Sequence, residues 1–462
     1  MRTLLLAMML SATALHAASL SVELGPTNTE HGLKVPSGGD GTNEPTTQAG
    51  RACRTVSGKD SHYLYVQAAD TGWTPGDHDL YLTAELYDEY PQAAAVEYDL
   101  AVAEPNIGTK YTRAEAPFLL LGTGGWVKRT VHLPHARLGH GQNGGADLRL
   151  CGRVTVASLT LSDAPPAGYN ADQPVPQAEL ERWRVRLPAA QELCVGCEPD
   201  AATAMLLKTL GVTSVETYVT WASVEEAGRG QWDWSKWDKQ TAILRRAGLK
   251  WVPFLIAGPA YATPKWFRDS ADHLGYVELA NGKETLIESL WSPKLKPEIE
   301  RFITAFQQRY GQSGLIESVL LGITGTYGES IYPAGPEGGW TASTTGPYYN
   351  GVGWWAGDKQ AVAAFRAHCK QAHGTIAALN RAWGTTYADF DAVSPFIPSK
   401  APSPAARTEF VRWYVDTMTE WSRWWVATTR RIVGQTPIYL CTGGAGEPPL
   451  GAERRVEASW TV

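Results

Sequence analysis

Glu329 stands in the stretch "GITGTYGESIYPAG", Gly322 to Gly335, between a small apolar run and a cluster of tyrosine, proline and glycine. Carboxylates and flat rings recur at comparable places along the second half of the chain: Glu198; Trp221 with Glu225 and Glu226; Tyr261 and Trp266; Tyr327, Glu329 and Tyr332; and Glu447. Each set follows a short apolar run that reads as a β-strand, and in parallel strand-helix folds the C-terminal ends of the strands carry the site. The mixture suits cleavage of a glycosidic bond. Carboxyl groups handle protons and oxocarbenium-like charge, while flat rings stack on the apolar faces of pyranoses. A catalytic acid needs a raised pKa, which apolar and aromatic walls supply by disfavouring the charged form.

Glu329 is accordingly the candidate general acid/base, and Trp221, Glu225, Trp266, Tyr327 and Tyr332 are candidate substrate-binding residues. Plainer roles compete for each: Glu329 as a solvated glutamate in a Gly-rich turn, Trp221 as packing, Glu225 as a cap or salt bridge, Trp266 as a loop anchor. Glu447 lies beside Pro448 and Pro449 and is set aside. No Ser-His-Asp arrangement, G-x-S-x-G elbow, phosphate-cradling Gly loop or H-E-x-x-H is present, and neither metal nor organic cofactor is implied.

The elements that would position these residues come in two grammars. "HYLYVQAAD", "DLYLTAELYDE", "AAVEYDLAV", "WVKRTVHL" and "RVTVASLTLSD" alternate or run apolar between Gly, Pro, Asp and Asn, which predicts an all-β sandwich over residues 19–162. Residues from about Ser19 to Gly50 read as an irregular lead-in or a first edge strand, and Pro-rich residues 163–180 read as a linker. From 181 onward strands alternate with helices, the pattern of an α/β barrel. The strands are "ELCVGC", "VTSVETYVTW", "LKWVPFLIAG", "IESVLLGITG" and "TPIYLCTGG". "YVELANGKETLIES" predicts an Asn-Gly hairpin in the loop after the third. The stripe "RWYVDTMTEWSRWW" predicts a helix face buried in the core. About five strand-helix units are visible where a (β/α)8 TIM barrel needs eight, so the domain reads as incomplete.

Composition narrows the classes. Forty-one Lys plus Arg against 47 Asp plus Glu give a net charge of -6, without a basic run to meet nucleic acid. "MRTLLLAMMLSATALHAAS" reads as a signal peptide over residues 1–18, cleaved near Ala17 or Ala18, which implies a secreted or periplasmic protein, and no later apolar run is long enough to span a bilayer. Of six cysteines, Cys53 and Cys151 could pair, and Cys194 and Cys197 form a lone C-x-x-C that reads as buried and structural.

The segment "VTSVETYVTWASVEEAGRGQWDWSKWDKQTAILRRAGLKWVPFLIAGPAYATPKWF" resembles the second- and third-strand region of family 42 β-galactosidases and family 14 β-amylases. "YGESIYPAG" is similar to the family 14 segment in which a Gly-Glu pair precedes Tyr-Pro, and there the Glu is the general acid. "ALNRAWGTTYADFD" resembles the Leu-Asn-x-x-Trp-Gly segment of family 42, whereas Gly328-Glu329 departs from that family's Asn-Glu. "WVKRTVHLPHARLGHGQNGGADLRL" resembles the jelly-roll modules attached to such enzymes, with Trp126, Asn143 and Asp147 in the recurring places, and implies an accessory, carbohydrate-binding-module-like domain. The resemblance implies a glycosidase acting on a carbohydrate substrate. It also implies a second carboxylate from a later strand, expected beyond Val462 if the chain is a fragment. Two rivals stand beside it: a non-catalytic carbohydrate-binding or scaffold protein with a degenerate or truncated barrel, and, more distantly, a polysaccharide lyase.

Overall fold

The computed structural model describes residues 18–69, 73, 75–186, 191–322, 325, 332–333, 351 and 353–441. They divide into an N-terminal unit, residues up to Gln191 together with Pro199–Gly211, and a C-terminal unit, Glu192–Glu198 together with Val212 onward.

In the N-terminal unit every strand pairing is antiparallel. A seven-stranded sheet runs through Trp126–Ala136, His78–Tyr87, Thr155–Ser162, Ser19–Glu23 and Thr29–His31, with Arg51–Val56 and Asn43–Gln48 joined to it. A five-stranded sheet is built on Val96–Tyr98, Leu148–Cys151 and Tyr63–Ala68. Alternation explains their shared core. In His78–Tyr87 every second residue, Leu80, Leu82, Ala84 and Leu86, is buried, and these join Leu64, Val66, Leu148 and Leu150 of the other sheet in one apolar cluster. The lead-in contributes more than an edge: Ser19–Glu23 pairs on both sides, with Thr155–Ser162 and with Thr29–His31. The Pro-rich segment is also anchored, since Val175 and Leu180 are buried against Leu119 and Leu121. Helix Ala201–Thr209, capped by Asp200 accepting from Thr203 N at 2.9 Å, adds Ala202, Met205 and Leu206 to the same cluster and so belongs with this unit.

In the C-terminal unit five strands form one parallel sheet in chain order: β1 (Cys194–Gly196), β2 (Ser214–Thr220), β3 (Lys250–Ile256), β4 (Val319–Gly322) and β5 (Ile438–Leu440). All five expected strands form, each shorter than its apolar run. The flanking helices are α1 (Ser235–Ala247), α2 (Leu295–Tyr310), α3 (Lys359–His373), α4 (Ile376–Trp383) and α5 (Pro404–Val433). Their ends follow local chemistry. Asp358, Thr375 and Ser403 cap α3, α4 and α5 through side-chain oxygens, and Gly248 takes the left-handed conformation, φ 69°, that stops α1. The expected hairpin pairs Gly275–Val277 with Glu284–Glu288 around Asn281-Gly282, Gly282 at φ 72°. The aromatic stripe of α5 is core, as expected: Trp413, Tyr414, Trp421 and Trp425 are all buried.

The two faces of the sheet differ. Trp251 of β3 donates from Nε1 to Thr217 Oγ1 of β2 at 2.7 Å and packs on Phe306 and Tyr310 of α2, which marks the helix side. On the opposite face Tyr218 meets Phe254 edge-on at 5.1 Å and keeps 45 % of its surface exposed. Among the described residues no helix is long and apolar enough to cross a membrane.

The cysteine expectations change. All six are free thiols. Cys53 lies in the seven-stranded sheet and Cys151 in the five-stranded one, so the pairing does not form. Cys194 is exposed and Cys197 half-buried, and among the described residues β1 has a strand neighbour on one side only.

One carboxylate ties three helices together. Glu409 of α5 accepts from Trp383 Nε1 of α4 at 2.8 Å and faces His373 Nε2 at 3.0 Å and His368 Nε2 at 3.4 Å, both on α3. Burial by itself would raise this carboxyl, but the neighbouring His368 and the bonds with Trp383 and His373 outweigh it and hold the group down at about 2. A depressed folded-state value means a contribution present above the ordinary carboxylate range and lost as pH falls toward about 2. Urea unfolding between pH 6 and pH 3 should therefore show wild-type losing its advantage over Glu409→Gln, an advantage of the order of 2–3 kcal/mol at pH 6. Parallel stability curves for the two proteins would contradict this role.

Candidate active site

Thr220, the last residue of β2, caps the short helix Trp221–Glu225 by accepting from Ser223 N at 3.1 Å. That turn swings Trp221 and Glu225 inward, and both are fully buried. Glu225 has no unoccupied oxygen. Its Oε1 accepts from Gly230 N and from Arg301 of α2, and its Oε2 accepts from the second guanidinium nitrogen of Arg301 and, at 2.6 Å, from Trp221 Nε1. Arg301 also holds Glu298 Oε2, and Glu298 Oε1 accepts from Arg229 at 2.9 Å. A buried carboxylate is tolerable only when paired and hydrogen-bonded in this way.

The loop after β3 locks onto the same turn. Trp266 donates from Nε1 to the Glu225 carbonyl at 2.7 Å, its ring stands edge-on to Trp221 at 5.6 Å, and Ala222 N donates to Ala262 O at 2.8 Å. The hairpin is fixed to the end of β3 by Glu288 N donating to Gly258 O at 3.0 Å. The Glu288 side chain is fully buried and paired with His273 Nδ1. Burial would push the His273 imidazole down, but the Glu288 carboxylate against it raises it instead. Ser289 Oγ then donates to Asp358 Oδ2 at 2.9 Å, which joins the hairpin to the cap of α3.

Tyr332 belongs to a different cluster. It is 1 % exposed, stacks on Tyr414 of α5 at 4.0 Å and 9°, and donates from its hydroxyl to the Tyr414 carbonyl at 3.2 Å. Tyr276 and Trp291 pack against it at 5.6 and 5.9 Å. Gly351 N donates to Pro333 O at 2.9 Å, so residues 333 and 351 are held side by side.

The sequence-derived residues therefore sort themselves. Trp221, Glu225 and Trp266 come together, while Tyr332 lies in the second cluster. Tyr327, Glu329 and Glu447 fall outside the described residues. Trp221 and Tyr332 have no ring face open to a sugar and Glu225 no open oxygen, so these three hold loops instead of forming the expected sugar-facing wall, and the cause is burial. Trp266 is half-buried. Sequence reasoning missed Arg301, Gly230, His273, Glu288, Tyr276, Trp291 and Tyr414. The one local signal for Arg301 is its i,i+3 spacing from Glu298 at the start of an amphipathic helix. Among the described residues no group of three metal-ligating side chains forms.

Comparison with known proteins agrees with this unit. Residues 197–259 match glycosyl hydrolase family 14, and residues 357–445 match the family described as beta-galactosidase, family 42. A thermophilic beta-amylase of Thermoanaerobacterium thermosulfurigenes is 31 % identical over 201 residues, 41 % of this chain and 35 % of the relative. A beta-galactosidase of a Thermus species is 29 % identical over 216 residues, 44 % of this chain and 29 % of the relative. The matched stretch thus spans about a third of each relative's length. Among solved structures, the catalytic domain of a beta-amylase from Paenibacillus polymyxa aligns with a TM-score of 0.45 at 21 % identity, over 54 % of this chain and 65 % of that one. The chain is similar to glycosidases of families 14 and 42.

The Glu225 network yields a stability test. Arg301→Met leaves a buried carboxylate without its cation and should cost about 3–5 kcal/mol, whereas Arg301→Met with Glu225→Gln should recover much of that loss. Urea denaturation followed by tryptophan fluorescence reads both. Equal losses in the single and double variants would show that the charge pairing is not what the site requires.

Proposed function

We propose that the chain is a glycoside hydrolase that cleaves O-glycosidic bonds of an oligo- or polysaccharide, β-galactosidase-like or β-amylase-like, with Glu329 as general acid/base. The observation that carries the reading is positional. β4 is the fourth strand of a parallel sheet in chain order, its last residue is Gly322, and the Tyr-Gly-Glu stretch follows directly, between β4 and the anchored Tyr332. The stretches similar to families 14 and 42 lie on either side of it.

Charge supports the same assignment. From Gly311 to Asp358 the sequence contains no Lys, Arg or His, so Glu329 has no cation among its chain neighbours to hold its proton affinity down. Glu225, in contrast, binds the guanidinium of Arg301. In the proposed reaction Glu329 protonates the glycosidic oxygen as the bond to the anomeric carbon breaks, and a second carboxylate stabilises or attacks that carbon. Trp266, the one described candidate that is not fully buried, is the residue assigned to meet a sugar. The N-terminal unit, with its two antiparallel sheets around one apolar core, is read as an accessory jelly-roll-like domain, and the protein as an exported one.

The decisive measurement is turnover of a panel of aryl glycosides and oligosaccharides by wild-type and Glu329→Gln. Loss of a general acid should lower kcat by about 10²–10⁴-fold. A variant that keeps wild-type turnover would falsify the role given to Glu329. A wild-type protein that binds the panel but hydrolyses none of it would replace the enzyme reading with carbohydrate binding alone.

A further inference from the structure

A cavity of about 530 Å³ opens in the C-terminal unit between the residues after the hairpin, the start of α2, and one face each of α3 and α5. From α5 it takes Trp413, Asp416, Thr417, Glu420 and Trp421, the i, i+3, i+4, i+7, i+8 positions that share one helix face. Lys296 of α2 and Gln371 of α3 face them, and Trp291 closes one wall. None of these residues takes part in the Glu225 network or was expected to bind anything.

We propose that this cavity is a second carbohydrate-binding site, separate from the strand ends that carry Glu329. Its lining is independent of the role proposed for Glu329. Trp291 is half-buried and stacks on Trp413 at 5.5 Å and 14°, which fixes its position at the cavity wall. Asp416 and Glu420 are exposed carboxylates that accept hydrogen bonds from hydroxyl groups. The Lys296 amine lies 5.5 Å from the Trp421 ring centre and 5.1 Å from that of Trp424, and burial lowers its proton affinity against the opposing pull of Glu420. The indole N–H groups of Trp291 and Trp421 have no acceptor among the described residues.

This chemistry selects among ligand classes. An anion would meet Asp416 and Glu420. A purely apolar ligand would bury two carboxylates and an amine without partners, at a cost of several kcal/mol. A neutral ring with one apolar face and a rim of hydroxyls satisfies the lining: the face lies on indole, hydroxyls donate to Asp416 and Glu420 and accept from Lys296 and the Gln371 amide. The volume lies within the range of about 300–1,000 Å³ that small-molecule sites occupy. Trp291 also touches Tyr332 at 5.9 Å, so a sugar held here rests against the same cluster that anchors the end of the Glu329 segment.

The test is calorimetric titration with thio-linked maltotetraose and thio-linked galactotetraose, which resist hydrolysis, on the full chain. Asp416→Ala with Glu420→Ala should weaken binding of one of them at least about tenfold, and Trp291→Phe should weaken it less. Turnover of a small aryl glycoside by the double variant should remain within about twofold of wild-type, and Glu329→Gln should leave the cavity's affinity intact. Both substitutions in the double variant are at exposed positions, and an unchanged far-ultraviolet circular dichroism spectrum confirms that it folds. Equal affinity in wild-type and double variant, or no binding of either probe at millimolar concentration, overturns the site. Failure of the aryl glycoside to turn over at all would count against the proposed enzyme and leave the binding comparison to decide this one.

Discussion

The ion pair between Glu225 and Arg301 is the constraint on which the described part of the C-terminal unit turns. A fully buried carboxylate cannot be left unpaired, so the loop after β2 and the helix after β3 must meet at one fixed register. With Arg301 held there, the buried stripe of α2, Ile299, Phe302, Ile303 and Phe306, is turned toward the sheet, where Phe306 meets Trp251. Trp221 and Trp266 extend the same lock, one through its indole N–H to the carboxylate and the other to the backbone of Glu225. The charged pair therefore does more for position than for energy, since its Coulombic gain is largely offset by the loss of solvation.

Rings do for the loop after β4 what charge does for the loop after β2. Tyr332 is stacked between α5 and the hairpin, with Tyr414 on one side and Tyr276 and Trp291 on the other. Tyr414 Oη also accepts from Trp355 N at 3.0 Å, so one ring of α5 fixes chain on both sides of the long segment between Pro333 and Gly351.

How far sequence could see into this structure depended on the range of the interaction. Caps at Asp200, Asp358 and Ser403, the Asn281-Gly282 turn, the Gly248 stop and the five parallel strands are written in neighbouring residues, and each forms where the local pattern puts it. Glu225 and Arg301 lie 76 positions apart, and no local pattern announces their meeting. The aromatic residues failed for a different reason. Tryptophan and tyrosine serve equally for packing and for sugar stacking, so Trp221 and Tyr332 looked like a binding wall until burial showed both rings enclosed. Cys53 and Cys151 misled similarly, because placement in one β-rich region says nothing about which sheet each strand joins.

The hydrogen bonding of Glu225 shows what a catalytic acid in this unit cannot look like. A carboxylate surrounded by Arg301, Trp221 and Gly230 has every oxygen committed to donors, which leaves none to meet the oxygen of a leaving group. An acid that must be protonated before the reaction and ionised after it needs the opposite surroundings: few donors, no adjacent cation, and apolar or aromatic neighbours. The sequence from Gly311 to Asp358 meets one of these requirements, since it contains no basic residue, and Tyr327 and Tyr332 stand within three positions of the glutamate. Glu225 is thus committed to positioning loops through its cation and donors, whereas the proton-carrying role proposed for Glu329 rests on its place in the chain after β4.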